Sequence, residues 1–186
     1  THLELRGFLA SRNSIDVLTQ LENLEVDAGL TYVDNEPLGR VRFVRLYHER
    51  YHLLISADAP LGRRKDVSWA EVGRVPLCLL TPDMQNRRII DHRLRAGGVE
   101  PAPTLQSNSM IVLFSHVRTG RWASVMPAVL AQTMGLGEPI RSVPIRDDDP
   151  PTVGLVYPQR EPLTPLTAAL VTEAHRLGQA RGAELR

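Results

Sequence analysis

The feature that most constrains the fold is a regular alternation of short apolar segments with helical segments. Between Val75 and Ile145 the chain contains four apolar segments of strand length. Each of the first three is followed by a segment in which apolar residues recur every three or four positions, the period of a helix packed on one face. Repeated strand–helix units of this kind predict an α/β domain with a largely parallel sheet.

The two ends of the chain follow the same plan. Strands are predicted over 28–32, 41–47, 51–57 and 153–157, together with one carried by the alternating Leu3 and Leu5. A helix over about 15–23 begins at the capping pair Asn13-Ser14, and a long helix begins at Pro165 with Thr164 as its cap. The long helix places its leucines on one face, so it requires a neighbouring sheet to bury them.

Two breakpoints interrupt this pattern and divide the chain into two lobes. The first is the charged, turn-rich run 58–66, and the second is the acidic, proline-rich run 146–151. The predicted division assigns residues 1–54 and 152–186 to a discontinuous first lobe. It assigns residues 55–151 to the second lobe.

Composition excludes several classes of protein. The 22 basic and 21 acidic residues nearly cancel, so the chain lacks the basic excess that direct DNA binding requires. A single cysteine, Cys78, excludes an internal disulfide and argues against a cysteine-based metal site. No segment approaches the roughly 18 apolar residues of a membrane helix, so we expect a soluble, cytoplasmic protein without membrane contact.

Catalytic motifs are absent from the sequence. It contains no Gly-x-Ser-x-Gly elbow, no Gly-rich phosphate loop and no His-Glu-x-x-His. An enzyme on the same frame would need Asp83, Asp91 or His116 as acid–base groups, and these form no evident titrating pair. We therefore expect no catalytic residue, no bound metal and no cofactor.

Polar residues of the capping type stand where three apolar strands give way to helices. These junctions are residues 13–14, 81–86 and 107–109. The carboxyl ends of parallel strands meet at one edge of a sheet, where unpaired helix N–H groups form a natural site for a polar or anionic small molecule. Each junction alone is explained by a cap that contributes about 1 kcal/mol to its own helix. Three junctions divided between two facing lobes favour a shared binding site.

The same residues carry a resemblance to a known family. The segments concerned are Leu3-Glu4-Leu5-Arg6, 13–18, 25–30, 57–61, Ser107-Asn108-Ser109, 117–120 and 125–127. Their order and spacing resemble those of the effector-binding domain of LysR-type transcriptional regulators, which have the type 2 periplasmic-binding-protein fold. The resemblance extends over nearly the whole chain.

This resemblance implies two Rossmann-like βα subdomains joined by two crossover strands, near 51–57 and 152–157, with a small effector clasped between them. It implies effector contacts at Arg12, Asn13, Ser14, Thr31, Tyr32, Thr81, Pro82, Asp83, Met84, Gln85, Asn86, Ser107, Asn108, Met126 and Pro127. Arg12 and Arg87, together with the helix N-termini, favour an anionic effector.

The resemblance also implies missing parts and macromolecular partners. The family's domain begins with a further strand and helix that precede Thr1, and its winged helix-turn-helix lies further upstream. We therefore expect a fragment of a bacterial regulator that forms homodimers or homotetramers and contacts DNA only through the absent domain. Trp122 replaces a glycine that is usual in the family, which alters the expected pocket floor. The alternative is an extracytoplasmic solute-binding protein of the same fold, which an upstream signal peptide would reveal.

Overall fold

The fold is given by a computed structural model that describes residues 9–10 and 12–184. The helices are α1 (Ser14–Glu22), α2 (Trp69–Val72), α3 (Gln85–Ala96), α4 (Met110–Val117), α5 (Ala128–Thr133) and α6 (Pro165–Glu184), with a 3-10 turn at Pro60–Arg63. The strands are β1 (Gly29–Tyr32), β2 (Val41–His48), β3 (Tyr51–Ser56), β4 (Cys78–Leu80), β5 (Leu105–Ser107), β6 (Ser124–Pro127), β7 (Ile140–Pro144) and β8 (Thr152–Pro158). The strand predicted at Leu3 and Leu5 lies outside the described residues.

Local sequence signals explain where helices begin. Asn13 caps α1, because its side-chain Oδ1 accepts the N–H of Asp16 at 2.9 Å. Thr164 caps α6 in the same way, accepting the N–H of Thr167 at 3.1 Å, and Pro165 takes the first helical position. Within the described residues, no helix combines the length and the apolar character needed to cross a membrane.

The first sheet has the strand order β1-β8-β2, and both outer strands run antiparallel to β8. Helix α1 covers one face around Leu21 and Val156. Helix α6 covers the other face around Leu155 and Ala174. Because β8 is covered on both faces, every residue along it is buried.

The second sheet contains the parallel pair β4-β5 and the antiparallel group β6-β3-β7. A parallel bridge between Leu77 and Ala123 joins them into the order β5-β4-β6-β3-β7. Helices α2 and α3 cover one face around Trp69 and Leu94, and α4 and α5 cover the other around Leu113. Each sheet with its helices therefore has its own hydrophobic core.

The directions of the strands confirm the sequence prediction in part. The parallel arrangement predicted from strand–helix alternation holds among β4, β5 and β6. It is wrong for β3 and β8, which run antiparallel to their neighbours. The physical reason is that the chain reaches each of these two strands from the other sheet. It therefore enters the strand at the end where the neighbouring strands finish.

The chain passes between the sheets twice, at residues 49–50 and again at 145–151. Strand β3 belongs to the second sheet, because it pairs with β6 and β7. Below, each sheet together with the helices that cover it is called a lobe, the first containing β1, β2 and β8. The division itself remains a prediction. At the return passage the carboxylate of Asp34 accepts the N–H of Thr152 at 2.9 Å, which fixes the start of β8.

Candidate functional site

The end of β1, at Thr31 and Tyr32, and the second predicted junction, 81–86, meet between the lobes. Thr31, at the end region of β1 in the first sheet, donates its hydroxyl hydrogen to Gln85 Oε1 at 2.9 Å. Gln85 is the first residue of α3 in the second lobe, and both side chains are more than nine-tenths buried. This buried hydrogen bond joins the carboxyl end of β1 in the first lobe to the N-terminus of α3 in the second lobe.

Beside this bond lies a hydrogen-bonded cluster of two phenols and an amide. Asn86 Nδ2 donates to the hydroxyl of Tyr32 at 2.9 Å and to that of Tyr51 at 3.5 Å. The Tyr51 hydroxyl also donates to that of Tyr32, at 3.1 Å. Burial raises the pKa of Tyr32 to about 12 and raises the pKa of Tyr51 well above its ordinary value. Both phenols are therefore neutral at physiological pH and act through hydrogen bonds.

An ion pair between Arg88 and Glu36 also joins the two lobes. The guanidinium of Arg88 binds both carboxylate oxygens of Glu36, at 2.6 and 2.8 Å. The same guanidinium donates to the carbonyl oxygen of Asp83 at 2.7 Å and lies 3.4 Å from the hydroxyl of Ser14. These hydrogen bonds from Arg88 lower the pKa of the Glu36 carboxyl. The pair joins the first lobe to the first turn of α3 in bidentate geometry.

Two buried polar atoms near these contacts have no partner within the described part of the chain. They are the hydroxyl oxygen of Thr81 and the Oδ1 of Asn86. Buried polar atoms in folded proteins are almost always hydrogen-bonded, because leaving one unpaired costs about 1–3 kcal/mol. A small molecule that supplies hydrogen bonds to these atoms would remove that cost.

The third predicted junction adjoins the second through the backbone. The carbonyl oxygen of Ser107 accepts the N–H of Thr81 at 3.1 Å, and the Ser107 hydroxyl accepts the N–H of Ser109 at 3.1 Å. The side chain of Asn108 is exposed beside it. The structure thus brings the second and third junctions together. The first junction approaches them through the Ser14 hydroxyl, which lies 3.4 Å from the guanidinium of Arg88.

Several other predicted residues have surroundings unlike those expected. Asn13 bonds through its side chain to Asp16 in its own helix. Met84 is partly buried against the second-lobe core. Met126 is completely buried in that core, which removes its side chain from the space between the lobes. The physical reason for Met126 is that β6 is covered on both faces, so no side chain along 124–126 reaches the surface.

The remaining predicted residues lie at the margin of the site. Pro82 and Asp83 are exposed, and both offer a backbone carbonyl to Arg88. Pro127 ends β6 opposite Tyr51. Arg12 is exposed ahead of α1.

The structure gives the two neighbouring arginines of α3, Arg87 and Arg88, different surroundings. Arg87 is buried in the second lobe, where it binds Asp91 at 2.7 Å, the Leu80 carbonyl at 2.6 Å and the Gln106 side chain at 2.8 Å. Its neighbour Arg88 faces the first lobe instead. The spacing of Arg87, Ile90 and Leu94 marks one helix face, so the sequence held the signal that Arg87 points inward.

The side chains described at the site offer hydrogen bonds and one ion pair. Asp91 is paired with Arg87, and His116 bonds through Nδ1 to the Val112 carbonyl on α4. Burial raises the pKa of the Cys78 thiol to about 11, which keeps it protonated and unreactive. Among the described residues no group of three or more His, Cys, Asp and Glu side chains is placed to hold a metal ion.

Comparison with known proteins identifies a matching family and a matching fold. Residues 2–179 match a sequence model described as the LysR substrate binding domain. One curated relative, the probable nitrogen assimilation transcriptional activator of Synechococcus elongatus, is 29% identical over 82 residues. The aligned segment covers 44% of this chain and 26% of that protein.

Solved structures with this architecture include the effector binding domain of QuiR in complex with shikimate. It has a TM-score of 0.75 at 17% identity and covers 91% of this chain and 79% of its own. The BenM effector binding domain with its effector benzoate has a TM-score of 0.73 at 18% identity, with coverages of 92% and 78%. The LysR family regulator CbnR has a TM-score of 0.73 at 15% identity and covers 90% of this chain but only 57% of its own. The chain therefore has the fold of these domains and spans part of the longer regulators.

Proposed function

Because the chain belongs to the LysR substrate binding domain family, we propose that it is the effector-sensing domain of a bacterial LysR-type transcriptional regulator. In this proposal the domain is a cytoplasmic, non-catalytic receptor for a small molecule. DNA is bound by a winged helix-turn-helix outside this chain, and two or four copies assemble in the whole regulator. The family match favours this function over an extracytoplasmic solute-binding protein.

The observation that carries the proposal is the pair of unpartnered polar atoms beside the contacts that join the lobes. Thr81 and Asn86 each bury an oxygen atom without a hydrogen-bond partner among the described residues. Asn86 also bonds directly to Tyr32 of the first lobe. A ligand that donates to these oxygens would therefore bind the second lobe at the residue that bonds to Tyr32, and would change the free energy of that contact between the lobes.

Signal transmission follows from differential binding. In the present arrangement the Thr31–Gln85 and Tyr32–Asn86 hydrogen bonds join the lobes directly. An effector that replaces these bonds favours whichever lobe arrangement it binds more tightly, and its influence on DNA binding cannot exceed that difference. A coupling of about 1–3 kcal/mol is typical and is sufficient for regulation.

We infer that the effector carries a carboxylate or a similar planar anion. Arg88 joins the two lobes, and its two-pronged guanidinium already holds a carboxylate, that of Glu36. The pair is about one-third exposed, which makes exchange with a dissolved anion feasible. Shikimate and benzoate, named with the QuiR and BenM domains, are both carboxylates.

A thermal-shift screen of small carboxylates, beginning with shikimate and benzoate, tests the proposed function. A ligand at 100 times its Kd adds about 2.7 kcal/mol to the stability of the folded state. We expect that shift to be lost in Thr81→Ala and retained in Thr172→Ala, which removes an exposed threonine hydroxyl from α6. A stabilising compound that acts equally on both variants would contradict a site between the lobes. An upstream signal peptide in place of a helix-turn-helix would contradict the regulatory role.

A further inference from the structure

A second concavity lies on the second lobe, between the 3-10 turn and β7, and none of the site residues discussed so far lines it. Its volume is about 440 Å³, within the range of small-molecule pockets. Three arginines line it, Arg63, Arg64 and Arg141, together with Gly62 and Ser142. Three guanidinium groups around one opening form an environment suited to an anion.

The local fold explains why these arginines come together. After β3 the chain turns back through residues 60–63 and packs tightly against the strand end. A Cβ atom added at Gly62 would lie 2.3 Å from the backbone oxygen of Ser56, so only glycine permits this approach. The turn thereby places Arg63 and Arg64 beside Arg141 on β7.

The exposed edge of β7 supplies a backbone donor to the same pocket. Ile145 donates its N–H to the Tyr51 carbonyl, towards β3. On the outward side, away from β3, the Pro144 carbonyl accepts the N–H of Val67, and the Arg146 N–H donates to the Val67 carbonyl. Because these directions alternate along an antiparallel strand, the N–H of Ser142 also points outward. It lies beyond the part of the edge that Val67 covers, and Ser142 lines the pocket together with the arginines.

The positive charge of this pocket is only loosely neutralised. Arg64 lies 3.5 Å from Glu71, and Arg141 lies 3.9 Å from the exposed Glu138. Arg63 makes no ion pair with any residue that the structure describes. Exposed pairs of this kind contribute about 0–1 kcal/mol, so an incoming anion displaces them at little cost.

We propose that this pocket binds a small molecule through a phosphate group, held by the Arg63, Arg64 and Arg141 guanidiniums and the Ser142 N–H. Guanidinium groups bind phosphate through paired hydrogen bonds, and an unpaired backbone N–H adds a fixed donor. The concave shape admits a terminal phosphate of a small molecule, whereas the backbone of a DNA duplex presents a convex ridge. This site is independent of the effector site between the lobes.

Isothermal titration of the purified chain with pyrophosphate in 150 mM NaCl tests the proposal. We expect saturable binding with a Kd of about 1 mM or lower, an affinity near 4 kcal/mol. Arg63→Gln and Arg141→Gln should each weaken binding by about tenfold, since each removes one charge-assisted contact. Arg74→Gln is the control, because it removes the same charge from an exposed position outside the pocket.

Three results would overturn the proposal. One is the absence of saturable binding at about 10 mM pyrophosphate. Another is an equal loss of affinity in Arg74→Gln, which would indicate attraction by net charge alone. The third is tighter binding of a DNA duplex with the same dependence on Arg63 and Arg141. Circular dichroism of each variant verifies that the fold is intact, so a negative result counts against the pocket.

Discussion

Replacing Tyr32 by phenylalanine removes the hydroxyl at which the two lobes share hydrogen bonds. That hydroxyl accepts from Asn86 at 2.9 Å and from Tyr51 at 3.1 Å. At about 0.5–1.5 kcal/mol for each bond, and with Asn86 keeping its longer contact to Tyr51, we expect Tyr32→Phe to cost about 1–2 kcal/mol at pH 7. In a chain of this size the Tm should fall by about 2–8 °C.

The same substitution has a second consequence at alkaline pH. The folded state raises the pKa of Tyr32 from 10.0 to about 12, so between these values the folded protein keeps a proton that the unfolded chain loses. Stability from this group is complete below pH 10 and falls as pH rises, at about 1.4 kcal/mol per pH unit. Tyr32→Phe lacks this contribution, so its stability should decline less steeply between pH 10 and pH 12.

Urea denaturation at pH 7, 10 and 11 measures both effects. Tyr157→Phe is the matched control, because the Tyr157 side chain is buried but its hydroxyl makes no hydrogen bond within the described residues. It should change stability by less than about 0.5 kcal/mol. The reasoning is refuted if the two variants are equally stable at pH 7 and show the same alkaline slope.

Three further predictions follow from the contacts of the two lobes. A double-mutant cycle of Glu36→Gln and Arg88→Gln should give a coupling of about 0.5–1 kcal/mol in urea denaturation that weakens with salt. Because the folded-state pKa of Glu36 is lowered, that stability is present above the unfolded pKa near 4.3 and is lost as pH falls through the folded value. Gly154→Ala should destabilise the first lobe by about 1–3 kcal/mol, since its methyl group would lie 2.7 Å from a neighbouring valine side chain. In the whole regulator, Thr81→Ala or Asn108→Ala should abolish the effector response in a DNA-binding assay and leave basal DNA binding intact.

Each of these predictions has a clear contrary result. A coupling free energy of zero between Glu36 and Arg88 at low salt would mean that the ion pair does not stabilise the contact between the lobes. A neutral Gly154→Ala would mean that the first sheet tolerates a side chain at its centre. An unchanged effector response in both regulator variants would remove the second and third junctions from the site.

Sequence reasoning succeeded where the governing forces are local. The cap at Asn13, the proline at the start of α6 and the alternation from Val75 onward determine helices and strands within a few residues of themselves. Strand pairing cannot be predicted in this way, because β3 and β8 pair with strands that are distant in the sequence. No local pattern in residues 51–56 or 152–158 predicts that these strands run antiparallel to their neighbours.

The sequence indicated the polar junctions of the candidate site but not the ion pair beside them. Gln85 and Asn86 were identified because capping residues follow a strand, and they contact the first lobe. Arg88 was missed, although it shares a helix face with Gln85 three residues earlier. Its partner Glu36 lies in a loop whose position depends on the whole first lobe, so no local pattern reveals the pair. In a chain rich in arginine, composition does not distinguish one guanidinium from another.

We propose that a small molecule binds where residues of the two lobes form hydrogen bonds with one another. A crystal structure of the chain soaked with the carboxylate that stabilises it most tests this directly. We expect electron density for the compound between Tyr32 and Asn86, with an atom within hydrogen-bond distance of the Thr81 hydroxyl. Density for the compound at any other surface, with the direct Tyr32–Asn86 bond unchanged, would contradict it.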